Sequence, residues 1–144
     1  RDMFITMIYA VIDLETEELR LARAGHELPI FYDQHTGGGL DVCTIESPGM
    51  AVGMVPPEIF NSIIKDTSIH FGSNDALVLY TDGVTESTNP EGEEYGTERL
   101  VNVLRESGDK DAQGIIERTL DSVNRFSEGT GQADDLTLIV VKHA

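Results

Sequence analysis

Ala76-Leu77-Val78-Leu79-Tyr80-Thr81 runs without a break into Asp82-Gly83-Val84-Thr85-Glu86. The first six residues form an apolar run of strand length, which reads as a strand buried on both faces. Its stop at Asp82-Gly83 presents a carboxylate at the sheet edge, where glycine lets the backbone turn sharply and approach a ligand closely. A second apolar run, Leu136 to Val141, opens directly after Asp134-Asp135. If these two strands are antiparallel neighbours, the end of one lies beside the start of the other, and Asp82 and Asp134 converge. Carboxylates brought together repel unless a cation sits between them. Mg²⁺ and Mn²⁺ take oxygen ligands of this kind. Taken singly, Asp-Gly after a strand is a common turn, and Asp-Asp before one is a solvated loop end.

Upstream, Met3 to Ile12 is almost entirely apolar and reads as another strand covered on both faces. Asp13 to Glu17 is a polar turn, and Leu19 to Ala24 alternates, so the two segments form a hairpin. Leu28 to Tyr32 and Leu40 to Ile45 are short strands about the turn Gly37-Gly38-Gly39, which makes the first third a β-meander. Ile59, Phe60, Ile63 and Ile64 stay ambiguous between a helical turn and an extended segment. Downstream the period changes. Leu100, Val103 and Leu104 repeat at helical spacing after Thr97, a candidate N-cap. Ile116, Leu120 and Val123 repeat in a longer helix from about Asp111 to Phe126. Strands, then helices, then a closing strand describe an α+β layered fold.

The totals narrow the function. A length of 144 residues favours one domain with a core of its own. A net charge of −16 argues against nucleic acid, whose phosphates need clustered Lys and Arg. Acidity of this kind is ordinarily a solvation feature, and it also suits a protein that concentrates divalent cations. No apolar run approaches the length of a membrane span. Cys43 is the only cysteine. It cannot form an internal disulfide, which leans towards a reducing compartment such as the cytoplasm. No His neighbours it in sequence, so it reads as a small buried hydrophobe rather than a nucleophile.

Four segments together resemble a known family. Ala24-Gly25-His26-Glu27-Leu28-Pro29 is similar to the "AGH-x-P" segment of bacterial metal-dependent serine/threonine phosphatases, of the sporulation stage II E and sigma-factor-regulator type, related to type 2C phosphatases. Tyr80 to Glu86 resembles their "YTDGVTE", Glu94-Tyr95-Gly96 with Arg99-Leu100 their "FG-x-x-RL", and Asp134 to Leu138 their "DD-[IL]-T-L". Asp75 resembles the "GD" before the buried strand, with Asn74 in the glycine position. The resemblance covers essentially the whole chain. It implies a four-layer αββα sandwich of two antiparallel sheets flanked by helices. It also implies a two-metal centre of Mn²⁺ or Mg²⁺ in which Asp82 and Asp134 are catalytic metal ligands and Asp135 orients its neighbour or faces the substrate. His26 and Gly83 would line the site. Glu86 matches a family position, with a helix-start or loop role equally open to it. His35, His70 and His143 match nothing and read as surface residues.

The family's earlier "D-x-x-G-H-G" segment, with an Asp that bridges both metals, is not found between Arg1 and Ala144. Residues 1–144 therefore read as the C-terminal portion of a phosphatase-like domain that lacks its first metal-binding motif. Two function classes follow. The first is hydrolysis of phosphoserine or phosphothreonine by a metal-activated water, on a phosphorylated signalling protein of the anti-sigma-factor antagonist type. The second is a phosphatase-like module that binds a signalling partner without hydrolysis. A plain acidic binding protein would require all four matches to be accidental.

Overall fold

The computed structural model describes residues 3–34, 41–131 and 134–144. They form two units, Arg1–Leu28 with Ile45–Ser73, and Pro29–Thr44 with Asn74–Ala144. In the first, β1 (Met7–Asp13) and β2 (Glu18–Ala24) pair antiparallel, with Met7 opposite Ala24 and Asp13 opposite Glu18. The link turns because Asp13 Oδ1 accepts from the backbone N–H groups of Glu15 and Thr16, at 2.9 and 3.1 Å. The same two bonds, that from Thr16 first, hold the Asp13 carboxyl below its usual pKa. The ambiguous segment is helical: α1 (Pro57–Ile63) starts on a proline, whose missing N–H costs nothing there. A strand with no apolar run to announce it, β5 (Thr67–His70), completes the sheet in the order β1-β2-β5.

The reading of Met3 to Ile12 as covered on both faces is corrected. β1 is an edge strand, and Met7, Tyr9 and Val11 on one of its faces are exposed, as are Met3, Phe4 and Ile5 before it. The buried positions of this hairpin are Leu19, Leu21 and Ala24, all on the central strand β2. An apolar run reports what a strand could bury, not what covers it.

The second unit holds β3 (Ile30–Asp33), β4 (Asp41–Thr44), β6 (Ala76–Tyr80) and β7 (Leu138–Lys142), all antiparallel in the order β4-β3-β6-β7. The first third is thus two hairpins divided between two sheets rather than one meander. The Gly37-Gly38-Gly39 turn lies outside the described residues. Three helices follow β6: α2 (Asp82–Thr85), α3 (Gly96–Arg105) and α4 (Ala112–Phe126). The core joins Ile30, Tyr32, Val42 and Val78 of the sheet to Leu100 and Leu104 of α3 and to Ile115 and Val123 of α4. Burial raises the pKa of Tyr32, whose hydroxyl donates to the Leu104 carbonyl and ties sheet to helix.

Tyr95, Arg99 and Leu100, the residues of the third motif, turn out to be structural. Leu100 is buried in the core. The Tyr95 hydroxyl lies 2.7 Å from Ser122 Oγ, and its ring meets Phe126 edge-on at 5.4 Å. Arg99 covers the Phe126 ring at 4.7 Å and donates to the Glu94 and Tyr95 carbonyls. These contacts fasten the start of α3 to the end of α4. Thr97 is not the N-cap; it falls in the first turn, and no side chain caps α3. α4 does have one, as Asp111 Oδ1 accepts from the Gly114 N–H at 2.8 Å. Asp111→Ala is therefore expected to cost about 1 kcal/mol of stability by urea unfolding. Within α4 the buried stripe includes Val123, as expected, but continues through Thr119 and Ile115 rather than Leu120 and Ile116, which are half-buried. Thr119 is tolerated in the core because its Oγ1 donates to the Ile115 carbonyl at 2.8 Å.

Cys43 is also corrected: it is exposed, on the face of β4 opposite to buried Val42. Its sulfur is shielded enough that desolvation, and then the charges of Asp41 and Asp33, push the thiol pKa up. That keeps it protonated and a poor nucleophile. Among the described residues no helix is long and apolar enough to cross a membrane.

Candidate metal centre

β6 and β7 are antiparallel neighbours, with Tyr80 opposite Leu138. The condition for convergence is met: the end of β6 lies beside the start of β7. The pairing continues past both strands through Thr81. Its N–H donates to the Thr137 carbonyl at 3.1 Å, and its Oγ1 accepts from the Thr137 N–H at 3.1 Å. That double link brings the chain just before Asp82 against the chain just after Asp135. No role for Thr81 or Thr137 was read from the sequence, although a threonine at the matching end of each strand was a visible signal.

Asp82 opens α2, one turn of helix where a simple turn was expected. Its carbonyl accepts from the Glu86 N–H at 2.7 Å and from Thr85 Oγ1 at 3.3 Å. Gly83 is buried, and a Cβ on it would stand 2.4 Å from the Asp135 carbonyl oxygen. Glycine is needed here for close approach to backbone rather than for an unusual φ. Asp82, Asp134 and Asp135 are exposed, and Asp134 Oδ1 accepts from the Asp135 N–H at 2.7 Å. Of the predicted residues, Asp82, Gly83, Asp134 and Asp135 therefore share one end of the sheet.

The donors at this end are all oxygen, which is the chemistry that Mg²⁺ and Mn²⁺ require. Their number is short, since no group of three His, Cys, Asp or Glu among the described residues could hold a metal ion. The residues fit such an ion as part of a ligand set.

His26 belongs to the other unit, half-buried just past β2. Arg23 holds its segment, with Nη1 donating to the His26 carbonyl at 2.6 Å and Nε to the Ser47 carbonyl at 2.8 Å. Gly25 has a left-handed φ of +70°, and a Cβ there would meet the Ala51 nitrogen at 2.5 Å. The Ala24-Gly25-His26 segment thus has a local packing reason of its own. Glu86 caps the end of α2 and is exposed. His70 is exposed, 3.8 Å from Glu17, His143 is half-buried, and His35 lies outside the described residues. Asn74 takes φ +72°, a conformation that suits Gly or Asn, and buried Asp75 accepts from the Gln34 N–H at 3.0 Å.

The model of the stage II sporulation protein E (SpoIIE) family matches residues 1–144, and the chain belongs to that family. It is 32% identical over 139 residues to Protein IcfG of Synechocystis sp., covering 96% of this chain and 20% of IcfG. It is 30% identical over 142 residues to the phosphoserine phosphatase RsbU of Bacillus subtilis, covering 97% of this chain and 39% of RsbU. The chain thus spans well under half the length of either relative. Among solved structures, the phosphatase domain of the cell fate determinant SpoIIE from Bacillus subtilis, presoaked with manganese, matches with a TM-score of 0.66 at 19% identity. That match covers 96% of this chain and 56% of the other, and the fold is shared.

Proposed function

We propose that this chain is part of a metal-dependent phosphatase that hydrolyses phosphoserine or phosphothreonine on a regulatory protein. The observation that carries the proposal is the seating of Gly83 against the Asp135 carbonyl, which packs the residue after Asp82 against the Asp134-Asp135 segment. Family membership, the phosphoserine phosphatase RsbU and the manganese-presoaked SpoIIE domain support it. Asp82 and Asp134 would hold Mn²⁺ or Mg²⁺, with Asp135 orienting Asp134 through its N–H. When bound, the ions would supply an acidified water and offset charge on the phosphoryl oxygens. The chain's own part is to fix the two carboxylates on a rigid β6–β7 end through the Thr81–Thr137 pair, so that they need not reorganise during reaction. A phosphorylated antagonist of an anti-sigma factor is the proposed substrate, in the cytoplasm.

The test is hydrolysis of a phosphoserine peptide titrated with Mn²⁺. Turnover should rise with Mn²⁺ and fall about a hundredfold or more in Asp82→Asn. The absence of a three-residue ligand group among the described residues favours a second reading, a phosphatase-like module that binds its partner without hydrolysis. No turnover at any Mn²⁺ level, with the peptide still bound, would select it.

A further inference from the structure

Next to the Asp82–Asp134 end of the sheet lies a cleft of about 440 Å³. Its apolar lining comes from Leu120 and Val123 of α4 and from Leu136, the residue that follows Asp135. Ser87, Ser127 and Thr130 stand along it, and all three are braced against backbone. Ser87 Oγ donates to the Gly83 carbonyl at 2.7 Å and Ser127 Oγ to the Val123 carbonyl at 3.0 Å. Thr130 Oγ1 lies 2.7 Å from the carbonyls of Thr88 and Ser127. The cleft wall is therefore braced, and the Ser87 bond ties it to the Gly83 turn.

Two further lining groups, the Asn124 amide and the Glu128 carboxylate, make no side-chain hydrogen bond or ion pair among the described residues. An exposed amide with no partner among the described residues, beside an aliphatic floor, suits an extended polypeptide, whose backbone pairs with the amide while a side chain fills the floor. Glu128, in a chain with 26 acidic and 10 basic residues, selects a cationic neighbour and repels an acidic one.

We propose that this cleft binds the polypeptide that flanks the phosphorylated residue. A leucine-like side chain would rest on Leu120, Val123 and Leu136, with a lysine or arginine towards Glu128. The proposal rests on the phosphatase reading above and gives it a substrate preference.

The experiment uses the protein with two phosphoserine peptides of equal length and with p-nitrophenyl phosphate, which carries no flanking polypeptide to occupy the cleft. One peptide carries leucines and lysines beside the phosphoserine, the other glycines and glutamates. The readout is the ratio of kcat/KM for the leucine–lysine peptide to that for p-nitrophenyl phosphate. Asn124→Trp and Glu128→Lys, both at exposed positions, should lower this ratio by about tenfold or more. Glu128→Lys should also erase the preference over the glutamate peptide. A ratio unchanged in both variants overturns the proposal. If the wild type hydrolyses none of the three compounds, the phosphatase reading fails by itself. Fluorescence polarisation of the labelled leucine–lysine peptide then decides the cleft: binding weakened about tenfold by Asn124→Trp sustains it, and equal binding overturns it.

Discussion

Gly83→Ala is expected to lower Mn²⁺-dependent hydrolysis about a hundredfold, because misplacing catalytic groups by an ångström costs that much. Gly83 sits inside the short helix α2, without a left-handed φ. On helix propensity alone, alanine there would gain about 1 kcal/mol. The contact opposes this. The new Cβ would stand 2.4 Å from the Asp135 carbonyl oxygen and 3.1 Å from its carbon, both backbone atoms. Either α2 or the Asp134-Asp135 segment must move, and each carries a candidate ligand. Overpacking of this kind costs about 1–3 kcal/mol, which exceeds the propensity gain. Thermal unfolding should therefore show a loss of stability alongside the loss of turnover. A variant more stable than wild type and equally active would show that the two acidic segments do not touch as described.

Gly49→Ala should have the largest effect on stability. Its Cβ would fall 1.6 Å from the Arg23 carbonyl oxygen and 2.8 Å from its carbon. Arg23 lies on β2, where it pairs with Ile8 of β1. The strand cannot retreat without loosening a ladder, and the Arg23 side chain is itself anchored to the Ser47 and His26 carbonyls. A cost of about 3 kcal/mol is expected, at the upper end for overpacking. That corresponds to roughly 10 °C in Tm for a chain of this size. An unchanged Tm would contradict the packing described for this segment.

The parts of the fold legible in the sequence are those where residue type and environment coincide. β6 is apolar because it is the buried partner of both β3 and β7. The placement of Asp82 and Asp134 at one end of the sheet rested on one assumption, that β6 and β7 are antiparallel neighbours, and that pairing is present. Asn74 was legible as a glycine substitute because only a few residue types tolerate its φ. The parts not legible depend on what lies across space. Thr67-Ser68-Ile69-His70 carries a single aliphatic residue, and its strand exists because β2 offers an unpaired edge. Cys43 faces outward because Val42 faces inward, a phase that a four-residue strand does not announce. Thr119 is buried through a hydrogen bond to its own helix, which no hydrophobic pattern reveals. At the site, the two acidic strand ends could be read from the chain. The shortage of ligands could also be read there, from the missing first metal-binding motif, and no group of three His, Cys, Asp or Glu that could hold a metal ion occurs among the described residues.

Direct Mn²⁺ binding, measured by titration calorimetry, tests the metal centre apart from turnover. Asp82→Asn and Asp134→Asn should each weaken binding about a hundredfold. Asp121→Asn, at an exposed position on α4 paired with Arg125, should bind as the wild type does. Equal affinities in all three variants would contradict the assignment of Asp82 and Asp134 as metal ligands.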